Sequence, residues 1–128
     1  MSRAKVLIID DEPSVADALK TILEDHGYET ALAHTGGAGL EHSAAQRFDL
    51  TITDYQLPDM SGLDVLAAMR GRAVACPVLI ITAYPSPELR ATAAERGAID
   101  VLSKPFLPSD ILALVEQALA EGAGRPAQ

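Results

Sequence analysis

The chain has 128 residues, a formal net charge of −8 and a single cysteine, Cys76, which has no partner for an internal bridge. A domain of this length buries roughly two-thirds of the surface its unfolded form exposes, so it needs no disulfide or metal staple. The acidic balance argues against binding nucleic acid, and nowhere is there the run of about 18 uninterrupted apolar residues that a membrane span needs.

Met1-Ser2-Arg3-Ala4-Lys5 leads straight into Val6-Leu7-Ile8-Ile9 with no signal-peptide core, which fits a reducing cytoplasm. That run, Leu50-Thr51-Ile52 and Val78-Leu79-Ile80-Ile81 are short, nearly unbroken and rich in β-branched residues, as in strands buried on both faces of a parallel sheet. Weaker strands are expected near Glu29–Ala33 and Ile99–Ser103. Helices are expected between them: Val15, Leu19 and Ile22 recur at i, i+4, i+7, and Ile111, Val115 and Ala118 repeat that spacing. Pro13 after Asp11-Glu12, Ser86-Pro87-Glu88 and Pro108 before Ser109-Asp110 read as helix starts, Gly27 and Gly97 as stops. The second helix is expected to be short or mobile, because Gly36, Gly37 and Gly39 each cost about 1 kcal/mol relative to Ala inside a helix. Strict alternation of five strands and five helices predicts an α/β domain over 1–121, a doubly wound parallel sheet with right-handed crossovers, and residues 122–128 read as a flexible C-terminal tail.

Asp10-Asp11, Asp54, Thr82 and Lys104-Pro105 each stand at or just past the end of an apolar run. In such a sheet those positions share the edge where ligands bind. Carboxylates about 5 Å apart repel by roughly 3 kcal/mol at an effective dielectric near 20, so three of them demand a cation or a raised pKa. Mg2+ suits them, since it takes a few carboxylates and commonly a phosphate oxygen as well. Lys104 adds a point charge and Thr82 a hydroxyl. A carboxylate held beside them can accept a phosphoryl group as an acyl phosphate, with Asp54 the candidate nucleophile. Singly, each residue also suits a cap, a turn or a surface charge.

The stretches Val6-Leu-Ile-Ile-Asp10-Asp11-Glu12-Pro13, Thr53-Asp54-Tyr-Gln-Leu-Pro58-Asp-Met-Ser-Gly62, Ile81-Thr82-Ala83 and Ser103-Lys104-Pro105-Phe106 resemble, in order and spacing, the receiver domains of bacterial two-component response regulators. The resemblance covers the chain up to about Glu121 and implies a flavodoxin-like sheet of order 2-1-3-4-5, of the chemotaxis-regulator type. It implies phosphorylation of Asp54 by a sensor histidine kinase or phosphotransfer protein. It also implies direct Mg2+ ligation by Asp11, Asp54 and the carbonyl of Gln56, with Asp10 acting through water, and Thr82 and Lys104 on the phosphoryl oxygens. A cis Lys104-Pro105 bond and a loop shaped by Pro58 and Gly62 are expected, Gly62 supplying a backbone angle closed to other residues. Output would run through a downstream protein, from a monomer or a phosphorylation-dependent dimer.

One position departs from the family: Val101 stands where an aromatic usually precedes the lysine by three residues, so the usual ring-flip readout cannot operate from there. Tyr84 is expected at the pocket rim, where it would slow attack by water. Val101 keeps open a pseudo-receiver whose contacts ignore phosphate. A Mg2+-dependent aspartyl-phosphate phosphohydrolase is a further alternative, opposed by Gln56, since such enzymes generally have a second acid two residues past the nucleophile. His26, His34 and His42 have no metal-ligand spacing. Cys76 reads as a small residue entering a strand. Thr35-Gly36-Gly37-Ala38-Gly39 lacks the remaining glycine of a dinucleotide loop.

Overall fold

The computed structural model describes residues 3–124, with side chains described through Ala120. Strands and helices alternate: β1 (Lys5–Ile9), α1 (Pro13–Asp25), β2 (Glu29–Ala33), α2 (Gly36–Ala45), β3 (Leu50–Asp54), α3 (Gly62–Gly71), β4 (Val78–Thr82), α4 (Pro87–Glu95), β5 (Asp100–Ser103) and α5 (Pro108–Gly124). All neighbouring strands pair in parallel, in the order β2-β1-β3-β4-β5. The expected sheet is therefore the observed one. Its strand order reverses between β1 and β3, and the carboxyl ends of those strands flank the crevice that results.

Alternate residues of each central strand feed opposite cores. Leu7, Ile9, Val78 and Ile80 pack with Leu40, Leu66 and Met69 on the side of α2 and α3, together with Leu89 and Ala93 of α4. Val6, Ile8, Ile52 and Ile81 pack with Leu19, Leu23, Ile111 and Val115 on the side of α1 and α5. β3 and β4 are buried at every position, which is why their sequences lack polar alternation.

The expected α5 stripe of Ile111, Val115 and Ala118 is buried. The α1 stripe needs correction. Ala16, Leu19 and Leu23 are the fully buried positions, while Val15 and Ile22 lie half-buried on the flanks. Both stripes share Leu19, and the buried face is turned by about one residue toward Ala16 and Leu23.

Ser86 caps α4 through its hydroxyl, and Ser61 and Asp64 form a reciprocal capping box at α3. Gly27 and Gly97 end helices at φ +88° and +93°, as expected of stop glycines. The second helix is a full ten-residue α-helix capped by Thr35. Its glycines are there for packing: a Cβ at Gly36 would run into Met60, and one at Gly39 into Ile9. Of the expected tail, residues 125–128 lie outside the described residues, and the last described backbone belongs to α5.

Candidate functional site

Three strand ends and one loop build the acid pocket. β1 delivers Asp10, fully buried; β3 delivers Asp54, 6% exposed; β4 delivers Thr82, 2% exposed. Burying β3 to its last residue is what takes Asp54 out of water. Lys104 follows β5 and comes back toward these ends, its amide donating to the Thr82 carbonyl at 2.7 Å and its bond to Pro105 cis, as expected.

The Lys104 ammonium lies among three carboxylates, 3.0 Å from Asp10 Oδ2, 3.2 Å from Glu12 Oε1 and 3.2 Å from Asp54 Oδ2. It hydrogen-bonds Glu12 and Asp54 and pairs with Asp10 Oδ2 by charge. That buried oxygen is left with no hydrogen-bond partner, while Asp10 Oδ1 accepts from the Glu12 amide at 2.9 Å. Burial and the charge of Asp10 push the Asp54 carboxyl up from its ordinary value, against the pull of Lys104 and the Gln56 amide. Burial works against the Lys104 ammonium, yet Asp10, Asp54 and Glu12 outweigh it and hold the group above its usual range.

One oxygen from each of Asp10, Glu12 and Asp54 lies within 4.8 Å of the others, a spacing that suits one cation. A hard divalent ion fits this all-oxygen set, and Asp10 Oδ2, which faces the Lys104 ammonium but makes no hydrogen bond, is an acceptor such an ion would satisfy. Asp11 is exposed and outside this group; Glu12, which sequence reasoning did not assign, is inside it.

The loop after Asp54 is a tight turn. Pro58 occupies its second position, the Leu57 amide donates to the Met60 carbonyl at 3.2 Å, and Gln56 bridges to Ser61. Gly62 answers a need other than the expected one, since its φ is not positive. A Cβ there would stand 2.7 Å from the Asp54 carbonyl oxygen. The Gly62 amide donates to the Tyr55 carbonyl at 2.7 Å, so the glycine brings α3 hard against the end of β3.

Around the pocket, the Thr82 hydroxyl accepts from the Tyr84 amide at 3.1 Å, and the Tyr84 side chain is 75% exposed. His34 donates from Nδ1 to the Asp10 carbonyl at 2.9 Å, bracing the end of β1. The glycine-rich turn before α2 is closed to phosphates: the Gly36 and Gly37 amides already donate to Asp59, at 2.8 and 2.9 Å. Cys76 is buried, and burial pushes its thiol up, which disfavours the thiolate. Val101 is buried in β5, and its carbonyl accepts from Arg90 at 2.7 Å. Among the described residues no helix is long and apolar enough to cross a membrane.

Residues 6–116 match the family model of the response regulator receiver domain. The chain is 40% identical over 114 residues to the transcriptional regulatory protein KdpE of Mycobacterium tuberculosis (strain ATCC 25618 / H37Rv), across 89% of this chain and 50% of that protein. It is 38% identical over 115 residues to the transcriptional regulatory protein ZraR of Escherichia coli (strain K12), across 90% of this chain and 26% of that protein. The chain thus spans half or less of these two curated relatives. Among solved structures it resembles a CheY-like receiver domain protein from Methanospirillum hungatei JF-1, with a TM-score of 0.89, 34% identity and coverage of 95% and 98% of the two chains. It likewise resembles the chemotaxis response regulator CheY4 of Vibrio cholerae, with a TM-score of 0.87, 33% identity and coverage of 92% and 100%. With a flavodoxin-like sheet, a buried strand-end aspartate and a family model matching most of its length, this chain belongs to the response regulator receiver domains of two-component signal transduction.

Proposed function

We propose that the chain accepts a phosphoryl group on Asp54, from a sensor histidine kinase or a phosphotransfer protein, and changes its contacts with a downstream protein as a result. The observation that carries this reading is the Lys104 ammonium ion-paired with the buried carboxylates of Asp10 and Asp54 at the strand ends. Asp54 needs positioning and charge neutralisation more than a base. In the step proposed, one Asp54 carboxylate oxygen forms the new P–O bond as the donor's P–N bond breaks. The departing imidazole keeps the electron pair and takes a proton from solvent.

Mg2+, when bound, neutralises charge on the transferring phosphoryl oxygens. Asp10 and Asp54 offer buried oxygens for it, and the family resemblance adds Asp11 and the Gln56 carbonyl. Lys104 holds a phosphoryl oxygen, and Thr82 donates its hydroxyl hydrogen to another while its oxygen goes on accepting from the Tyr84 amide. Gln56 in place of a second acid argues against rapid hydrolysis, and for a signalling role without turnover. We place the protein in the cytoplasm, as a monomer or a phosphorylation-dependent dimer.

Intact mass spectrometry after incubation with acetyl phosphate tests the reading. A labile gain of one phosphoryl group is expected for the wild type with Mg2+, and none for Asp54→Ala or without the metal. A wild type that gains nothing from acetyl phosphate or from any phosphotransfer protein sinks the proposal. That result would favour phosphate-independent contacts, the reading that buried Val101 supports.

A further inference from the structure

Lys104 divides its ammonium among acceptors of unequal freedom. The Asp10 and Asp54 side chains are 0% and 8% exposed and fixed at strand ends, whereas Glu12 is 58% exposed on the turn before α1. Swinging an exposed carboxylate into water costs little; moving a buried one does not. The helix does not hold the Glu12 carboxylate, since α1 begins on Pro13 without a side-chain cap bond from Glu12. An ammonium has three N–H donors, and Lys104 faces three carboxylate oxygens, hydrogen-bonding Glu12 and Asp54 and lying 3.0 Å from Asp10 Oδ2. A phosphoryl group on Asp54 would add up to two negative charges and three acceptors beside it. The donor spent on Glu12 is the one free to be redirected.

We propose that Glu12 is a positioning residue that holds Lys104 at the mouth of the acid pocket before phosphorylation and yields it to the phosphoryl group on Asp54. This rests on Asp54 being the phosphoacceptor. The Glu12 carboxylate competes with the phosphoryl group for one Lys104 N–H and repels it as a like charge. It therefore resists loading of the site, and the same repulsion shortens the life of the loaded state. Asp10, buried and without a hydrogen-bond partner on Oδ2, stays behind to face the cation.

The test compares wild type with Glu12→Gln, which keeps size and loses charge, using beryllofluoride as the phosphoryl analogue over a Mg2+ titration. At saturating Mg2+ the variant binds beryllofluoride about fivefold more tightly, with the Mg2+ midpoint moved by less than about twofold. Before any addition, the Lys104 ammonium 15N resonance is protected from solvent exchange in the wild type and broadened in Glu12→Gln. A purely structural role would not separate these constants, and equal melting temperatures confirm that both proteins are folded; Glu12→Ala repeats the comparison if Gln retains the hydrogen bond. Unchanged or weaker beryllofluoride binding at saturating Mg2+ overturns the proposal. So does a raised Mg2+ midpoint as the sole effect, which would make Glu12 a ligand. A wild type that binds no beryllofluoride instead overturns the reading of Asp54 itself.

Discussion

Asp54 carries its charge against its surroundings. Burial and Asp10 favour the neutral acid more than Lys104 and the Gln56 amide favour the anion. A carboxyl raised in the folded state contributes stability below its unfolded pKa and loses it as pH rises through the folded value. Asp54→Asn should therefore stabilise the protein near neutral pH, by about 1 kcal/mol, with the gain shrinking as pH falls into the carboxyl range. Urea unfolding at several pH values checks this, and a gain that grows toward acid would contradict it. Gly62→Ala should act in the opposite sense. Its new Cβ meets the Asp54 carbonyl, so a loss of about 1–3 kcal/mol and slower phosphorylation are expected in unfolding and acetyl-phosphate assays. Asp10, Asp54, Thr82 and Lys104 were legible in the sequence because each closes an apolar run. Glu12 was not, because its partner lies 92 residues away and only the path of the chain after β5 brings the ammonium to it.

Among the elements, α1 shows where reading by period stops. Spacing marked an apolar face but could not choose between two stripes that share Leu19; packing chose the one that begins on the smaller residue, Ala16. Leu19→Ala should cost about 2–5 kcal/mol and Val15→Ala clearly less, a contrast that thermal or urea denaturation resolves. The α2 glycines read as helix-weakening residues, yet they admit Met60 and Ile9, contacts between segments far apart in sequence. Asp59 ties the turn after β3 to the start of α2 through both carboxylate oxygens, and the Gly37 and Gly36 amides hold its carboxyl below the usual range. A depressed carboxyl contributes stability above its unfolded pKa and loses it as pH falls through the folded value. Asp59→Asn, which keeps one acceptor oxygen, should thus be destabilising at neutral pH, with the difference from wild type fading in acid; a constant difference across that range would argue against the latch.

For the molecule as a whole, strand order was readable because alternation of elements and right-handed crossovers leave few topologies. The readout was not, since the proposed switch would lie in how the outer elements are arranged, which strand and helix periodicity does not encode. Here Arg90 of α4 donates to the Val101 carbonyl and lies 3.7 Å from Asp100, joining α4 to β5 where the family usually has an aromatic side chain. Arg90→Ala should loosen that face while leaving acetyl-phosphate labelling of Asp54 within about twofold of wild type. Hydrogen exchange of α4 and β5 amides, set beside the labelling rate, separates the two effects. The sheet order has one more consequence. Asp54, the proposed phosphoacceptor, ends β3, which has a strand on either side and is buried at every position. Such a strand yields to almost nothing, so negative charge arriving there cannot be absorbed where it lands. Any yielding falls to the connections on the β4–β5 side, where Tyr84 and Leu107 stand in solvent. On that reading a fully enclosed strand would receive the charge and an exposed margin would report it.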